Sequence, residues 1–406
     1  MEEGLSNIRF SAESQMLPRE EMLEVKNRRS NLTIGIPRET SATENRIALV
    51  PDAIKLLVAN GHRVFVEENA GMNAHFTDLE FSEAGAELLK DRSTVFGADI
   101  VLKISPPDRS EIEMLGRQKN LFSVLQLPTR DKDYFLQLSA KRTTALSFEH
   151  IQDRTGSLPL KRSMSEIIGN AAILVAAEYL CHPSYGKGVM LGGFPGVTPT
   201  EIVIIGAGTV AEYAIRAATG MGASVKVFDN SMYKLRALQH KLGMRLYTSI
   251  LQPHLIEQAL RTADVLIGAK HSSNGFSPCF VTSEIIQNMK PGSVVIDVSI
   301  DQGGCFETSE PTTHLNPVYQ HHGITHYCVP NIASKVPRTA AISFSNFFGP
   351  LLLEIGEAGS LENLLRFNLP LRKGVYQFNG KVTNQQISNQ FDLPFQHIDL
   401  LMAAFF

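Results

Sequence analysis

Residues 201–211, EIVIIGAGTVA, decide the fold. An unbroken apolar run reads as a buried strand that enters Gly206 directly. Gly206 permits a tight turn, Gly208 lets the backbone approach a pyrophosphate, and small Ala211 lets a following helix pack on the strand. That helix aims its first amides and the positive end of its dipole at phosphate oxygens. The next strand, Val225–Asp229 (VKVFD), ends in a carboxylate. Asp229 reads either as the acceptor for both adenosine ribose hydroxyls, which favours NAD over NADP, or as an ordinary helix N-cap before Asn230 and Ser231. Lys234 is placed along the ribose or phosphates, or in solvent.

Working outward, the same alternation of strands and helices runs both ways along the chain. Upstream, strands are expected at Leu32–Ile36, Arg63–Glu67, Asp99–Ile104, Leu121–Leu125 and Thr144–Phe148, with a helix at Asp52–Asn60. A helix at Met164–Leu180 and a Gly/Pro-rich loop at 186–199 lead to the nucleotide strand. Downstream, strands are expected at Ser224–Phe228, Val265–Ile267, Ser293–Val298 and His326–Val329, then a helix at Thr339–Glu354 and a turn-rich tail. This is the pattern of α/β parallel sheets. Residues 1–30 read as an N-terminal extension or oligomer arm.

The chain has 406 residues, 43% of them hydrophobic, enough for two cores. Its 38 basic and 41 acidic side chains give a net charge of -3, which argues against a nucleic-acid surface. Cys181, Cys279, Cys305 and Cys328 form no CxxC or CxxH pair and fit reduced thiols; no metal is expected. Neither a signal peptide nor an apolar run of about 18 residues is present, so a cytoplasmic protein is expected.

Several short motifs go beyond the nucleotide loop: IGIPRE at 34–39, ENRIALVP at 44–51, MSE at 164–166, GGFPG at 192–196, MKPGS at 289–293, IDQGGC at 300–305, PTTH at 311–314 and YCV at 327–329. Taken in order, they resemble the alanine dehydrogenase family, whose fold is shared with the nucleotide-binding subunit of proton-translocating transhydrogenase. The resemblance implies an α/β protein of two Rossmann-like domains. An NAD-binding domain (161–337) is inserted into a discontinuous substrate domain (31–160 and 338–406). It also implies NAD-dependent oxidative deamination of L-alanine to pyruvate and ammonium, by a homo-oligomer, a dimer or a hexamer built from dimers.

Such chemistry needs a cation for the substrate carboxylate, a group that polarises the carbonyl or imine, and a base that activates water. The resemblance places Arg46 as the carboxylate clamp. It puts Asp301 beside the nicotinamide and the reacting water, Ser165 against the cofactor, and Asn331 facing the nicotinamide. Two positions depart from the family. Lys103 matches the first of two strand lysines, but Ser105 occupies the second, substrate-contacting place. Gln126 stands where the family has its catalytic histidine, and glutamine is no base at neutral pH. Lys270 and His271, in the loop after Val265–Ile267, read either as replacements for that pair or as solvated loop residues. The rival expectations are an NAD(H)-binding protein with lost or altered catalysis, and a dehydrogenase for a larger amino acid or an imino acid.

Overall fold

The computed structural model describes residues 30–41, 43–270 and 279–404. The proposed extension, apart from Ser30, and His271 lie outside the described residues.

The chain first lays down six parallel strands: β1 (Thr33–Ile36), β2 (Arg63–Glu67), β3 (Glu87–Leu89), β4 (Ile100–Leu102), β5 (Asn120–Ser123) and β6 (Thr144–Ser147). A helix, Pro159–Leu180, then carries it to a second sheet of β7 (Glu201–Ile205), β8 (Ser224–Phe228), β9 (Tyr247–Ser249), β10 (Val265–Gly268), β11 (Val294–Asp297), β12 (Val318–His321) and β13 (Ile324–Tyr327). A long helix, Pro337–Ala358, returns to the first sheet, where β14 (Val375–Phe378) pairs antiparallel with β6 and β15 (Lys381–Val382) with β14. The orders are β15-β14-β6-β5-β4-β1-β2-β3 and β12-β13-β11-β10-β7-β8-β9. One doubly wound unit is therefore inserted into another, as the sequence implied.

Both sheets are covered on both faces, which is why their central strands are apolar runs rather than alternating ones. Ile34, Val64, Ile100, Phe122 and Leu146 pack against Phe344 and Phe348 of the returning helix; Val101, Leu121 and Ala145 pack on the other side with Phe135 and Leu138. In the second sheet, Ile202, Ile204 and Val225 meet Ala172 and Val175 of the long helix and Ala211 and Ile215 of the nucleotide helix. Val203, Ile205 and Leu266 cover Ile256 and Leu260.

Some boundaries differ from expectation. The first long helix starts at Pro159, not Met164, because proline fits the first helical position, where no amide is needed. The second runs Pro337–Ala358 and accommodates Pro350. The tail is not merely turn-rich: β14 and β15 extend the first sheet. No helix among the described residues is long and apolar enough to cross a membrane. None of the four cysteines is joined in a disulfide, and no metal-binding cluster occurs among the described residues.

Candidate active site

Parallel strands gather loops at their C-terminal ends, where open α/β sheets bind ligands. At the end of β7, Gly206 takes φ +113°, and an added Cβ would lie 2.5 Å from the Ala269 carbonyl oxygen, so a side chain is excluded. Gly208 is the N-cap of the helix Thr209–Gly220 and supplies no side-chain cap. A Cβ added there meets nothing within 4 Å, so space lies open over the first amides of the helix. Ala211 is fully buried, as its packing role requires. These residues fit a dinucleotide pyrophosphate.

Asp229 follows β8 and does more than expected. Its Oδ2 accepts from the Ala207 amide at 2.9 Å and its Oδ1 from Ser231 at 2.8 Å, so the carboxylate fixes the glycine loop. The Nζ of Lys270 lies 3.4 Å from Oδ1 and 5.2 Å from the centre of the Phe280 ring. Lys270, read either as a replacement for the missing pair or as a solvated loop residue, is paired here with the carboxylate that holds the glycine loop. Lys234 is exposed on the first turn of the helix Met232–Leu242.

The opposite wall comes from the first sheet. Arg46 is buried and held by Glu44 through two 2.6 Å bonds, from Nε and Nη2. Its Nη1 contacts the Met164 sulfur at 3.6 Å, and its guanidinium lies 5.2 Å from the centre of the Phe344 ring. Glu44 also accepts from Asn331 Nδ2 at 2.9 Å, and Ser334 Oγ accepts from the Asn45 amide at 2.7 Å. The Arg46 loop is thereby tied to the segment after β13. Asn331, at φ +62°, turns its side-chain amide to Glu44 and so ties the segment after β13 to the first domain. Ser165 lies inside the long helix, back-bonded to the Lys161 carbonyl at 2.8 Å, and is not an N-cap.

Lys103, matched to the first of the two family lysines, is buried at the end of β4. It is 1% exposed, bonded to Glu39 at 2.8 Å and 3.6 Å from Glu111, so it is a buried structural cation with no face on the cleft. Burial raises the Glu39 carboxyl above the ordinary range, against the pull of Lys103. Glu39 also accepts from the Ile104 amide at 2.6 Å and the Ser105 amide at 3.3 Å, which locks the end of β4. Gln126 is exposed beyond β5 in the left-handed region, φ +46°.

Asp301 follows β11 in a short 3-10 turn, Ile300–Gln302. Solvent reaches its side chain, yet protein surrounds it, as on the floor of a cleft. Desolvation pushes its carboxyl up to about 6; Glu149 and Asp297 add to the shift, while a backbone hydrogen bond and Lys161 oppose it. Glu149, after β6, accepts from the Leu125 amide at 3.2 Å, next to Gln126. Glu149 and Lys161 thus lie close enough to Asp301 for their charges to act on it.

Sequence reasoning missed Glu149, His150, Lys161 and His314. Desolvation lowers the pKa of His314, which feels the charges of Glu44 and Arg46 and a backbone group of Asn331; its Nε2 is buried without a partner. Only the family motif PTTH drew attention to its neighbourhood.

A glycine loop and a desolvated aspartate at the strand ends of one sheet, with a buried arginine contributed by the other domain, define a two-domain oxidoreductase built on an NAD-binding fold. The comparisons specify the family. The profile "Alanine dehydrogenase/PNT, N-terminal domain" matches residues 35–168, and its C-terminal counterpart matches 172–385. An alanine dehydrogenase of Methanococcus maripaludis is 38% identical over 366 residues, 90% of this chain and 98% of its own length. One from Mycolicibacterium smegmatis is 36% identical over 90% of this chain and 98% of its own length. A solved L-alanine dehydrogenase superposes with a TM-score of 0.82 at 33% identity, covering 89% of this chain and 99% of its own. A transhydrogenase from Sinorhizobium meliloti, 22% identical, shares the fold with a TM-score of 0.73, over 87% of this chain and 99% of its own. The chain belongs to the alanine dehydrogenase/PNT family.

Proposed function

We propose that this protein catalyses the NAD-dependent oxidative deamination of a small L-2-amino acid, L-alanine first, to the 2-oxo acid and ammonium. The observation that carries this reading is Arg46, pinned by Glu44 over Phe344 with its Nη1 side turned to Met164. An arginine fixed on one edge keeps a second pair of N–H donors in fork geometry for a carboxylate. Asp301 lies in the same cleft. A carboxyl near neutrality can hold or release a proton at the working pH.

The dinucleotide, held by the Gly206–Ala211 turn, supplies a hydride acceptor when bound. The chain does the rest: Arg46 orients the substrate carboxylate, Asp301 holds or releases a proton beside the substrate nitrogen, and the fold limits the water that enters. Asp229 supports NAD over NADP, because its carboxylate repels a 2′-phosphate. Lys270, at 3.4 Å, offsets part of that charge, so the preference is moderate.

A second reading, an altered amino-acid specificity, is favoured by Ser105 and Gln126, which are smaller or uncharged where the family has lysine and histidine. We further read the protein as a cytoplasmic homo-oligomer; its free thiols and an exposed apolar cluster described below support this.

One experiment tests these readings together. NADH or NADPH formation is followed over the twenty amino acids at alkaline pH. Fastest turnover with L-alanine and NAD is expected. Turnover confined to larger or imino acids supports the second reading, and no turnover with any amino acid overturns both.

A further inference from the structure

The reaction needs a group that takes a proton from water and returns it to nitrogen, and Gln126 cannot do this. In the register between β5 and β6, Ser123 pairs with Ser147. Gln126 and His150 each follow three residues beyond that pair, Gln126 in the loop after β5 and His150 in the 3-10 turn after β6. The bond from the Leu125 amide to Glu149 ties the two strand ends together.

The turn that bears His150, Phe148–His150, is firmly placed. Phe148 is buried with its ring centre 5.6 Å from that of Phe344 and 5.5 Å from that of Phe348. Phe344 is the same ring that underlies Arg46. Ile151, at the other end, is buried too. Between these anchors the His150 side chain is left exposed, outside the core. Lys161 lies one helical turn before Met164, the residue that touches Arg46.

We infer that His150 is the catalytic base of this site, acting opposite Asp301 in the cleft and replacing a histidine at position 126. This rests on the amino-acid dehydrogenase reading above. The charges facing His150 are Glu149, beside it on the same turn, and Lys161 on the long helix; the same two groups act on Asp301. Desolvation holds His150 below the ordinary imidazole range and Lys161 pushes the same way, against Glu149, so the ring is neutral and able to accept a proton at neutral pH.

The step balances as follows. The substrate amine gives one proton to solvent; with a dinucleotide bound as acceptor, the electron pair of the α C–H bond would leave with its hydrogen as the nitrogen lone pair forms the C=N bond. Water forms a C–O bond at that carbon and gives one proton to His150. His150 returns the proton to nitrogen and the C–N bond breaks. The hydroxyl proton leaves with ammonia as ammonium.

The test uses the full-length protein. His150→Gln changes an exposed side chain, so thermal melting and NADH affinity should stay as in the parent. Its kcat should fall about 10²–10⁴-fold, and the acidic limb of the pH profile should lose the contribution of the imidazole. A readout independent of turnover is the NMR signal of ¹³C-labelled histidine, assigned by its loss in the variant. Adding pyruvate to the NADH complex without ammonium should move the His150 signal and its titration midpoint. A signal that ignores pyruvate, or a variant with kcat within about threefold of the parent, overturns the assignment and leaves the dehydrogenase reading standing. A parent protein that oxidises no amino acid overturns that reading, and the base assignment with it.

Discussion

Arg46 shows how a single side chain can be both structural and chemical. Replacing it with alanine would strand Glu44, which is buried, and breaking such a pair costs roughly 3–5 kcal/mol. A loss of activity there would be ambiguous. Arg46→Lys keeps the charge and loses the planar fork. The Michaelis constant for the amino acid should rise about 10- to 100-fold, the equivalent of roughly 1.5–3 kcal/mol, with NADH affinity unchanged. An unaltered Michaelis constant would show that Arg46 does not hold the substrate.

Asp301 lends itself to a stability measurement as well as an activity one. Its folded pKa, about 6, lies above the ordinary 3.8, so the folded state binds the proton more tightly. Stability from this group is full below the unfolded value and is lost as pH rises through the folded one. Asp301→Asn should therefore melt higher than the parent at about pH 8 and equal to it at about pH 4, while turnover collapses. Because solvent reaches the carboxylate, the gain should be about 1 kcal/mol or less. A lower melting temperature at pH 8 would contradict the desolvation of this carboxyl. Arg46 and Asp301 were legible in the sequence, since each belongs to a motif. His150, Glu149 and Lys161 were not: they meet only because β5, β6 and the long helix end at one cleft, and no local pattern encodes that meeting.

At the scale of elements, β2 coincides with its sequence reading residue for residue, and β7 and β8 lie where the reading put them, on either side of the nucleotide helix. Each is a run of five residues bounded by turn formers. The edge elements β3, β9, β12 and β15 escaped notice. They are short, half-exposed and paired on one side, so burial imposes little pattern on them. β14 is wholly buried, yet it lies in a turn-rich tail, and only its pairing with β6 reveals it.

β13 carries a testable consequence of burial. His326 is fully buried, with Nδ1–H directed to the Ile324 carbonyl at 3.1 Å and Nε2 paired with the Thr308 hydroxyl at 2.8 Å. Desolvation lowers its pKa to about 4; the Ile324 carbonyl opposes the shift, and His321 and His322 add to it. The folded state favours the neutral ring. Its contribution is complete above the unfolded value of 6.5 and is lost as pH falls toward about 4. Acid should cost on the order of 2–3 kcal/mol through this group alone. His326→Gln should flatten the pH dependence of stability between those values. An unchanged acid limb in denaturant titrations would rule the residue out.

For the whole molecule, the insertion of one sheet within the other was implied by the family motifs, and the returning helix and β14 give it physical form. The same C-terminal return carries a surface that the described residues leave uncovered. Phe367 is 85% exposed, Leu369 59% and Leu400 71%. The segments that carry them are joined by the ion pair of Arg372 with Asp399 at 2.6 Å, so these side chains belong to one region. Burying a large apolar side chain is worth roughly 1.5–3 kcal/mol, and exposed clusters of this kind mark association sites. A second copy of the chain is the occupant expected for a homo-oligomer. Sedimentation of the full-length protein should then give a dimer or hexamer. Phe367→Asp with Leu400→Asp places charge in the contact and should shift the population toward smaller species, with the melting temperature of the smaller species independent of ligand-site mutations. A monomeric parent, or an oligomer untouched by the double change, would show that this surface faces water.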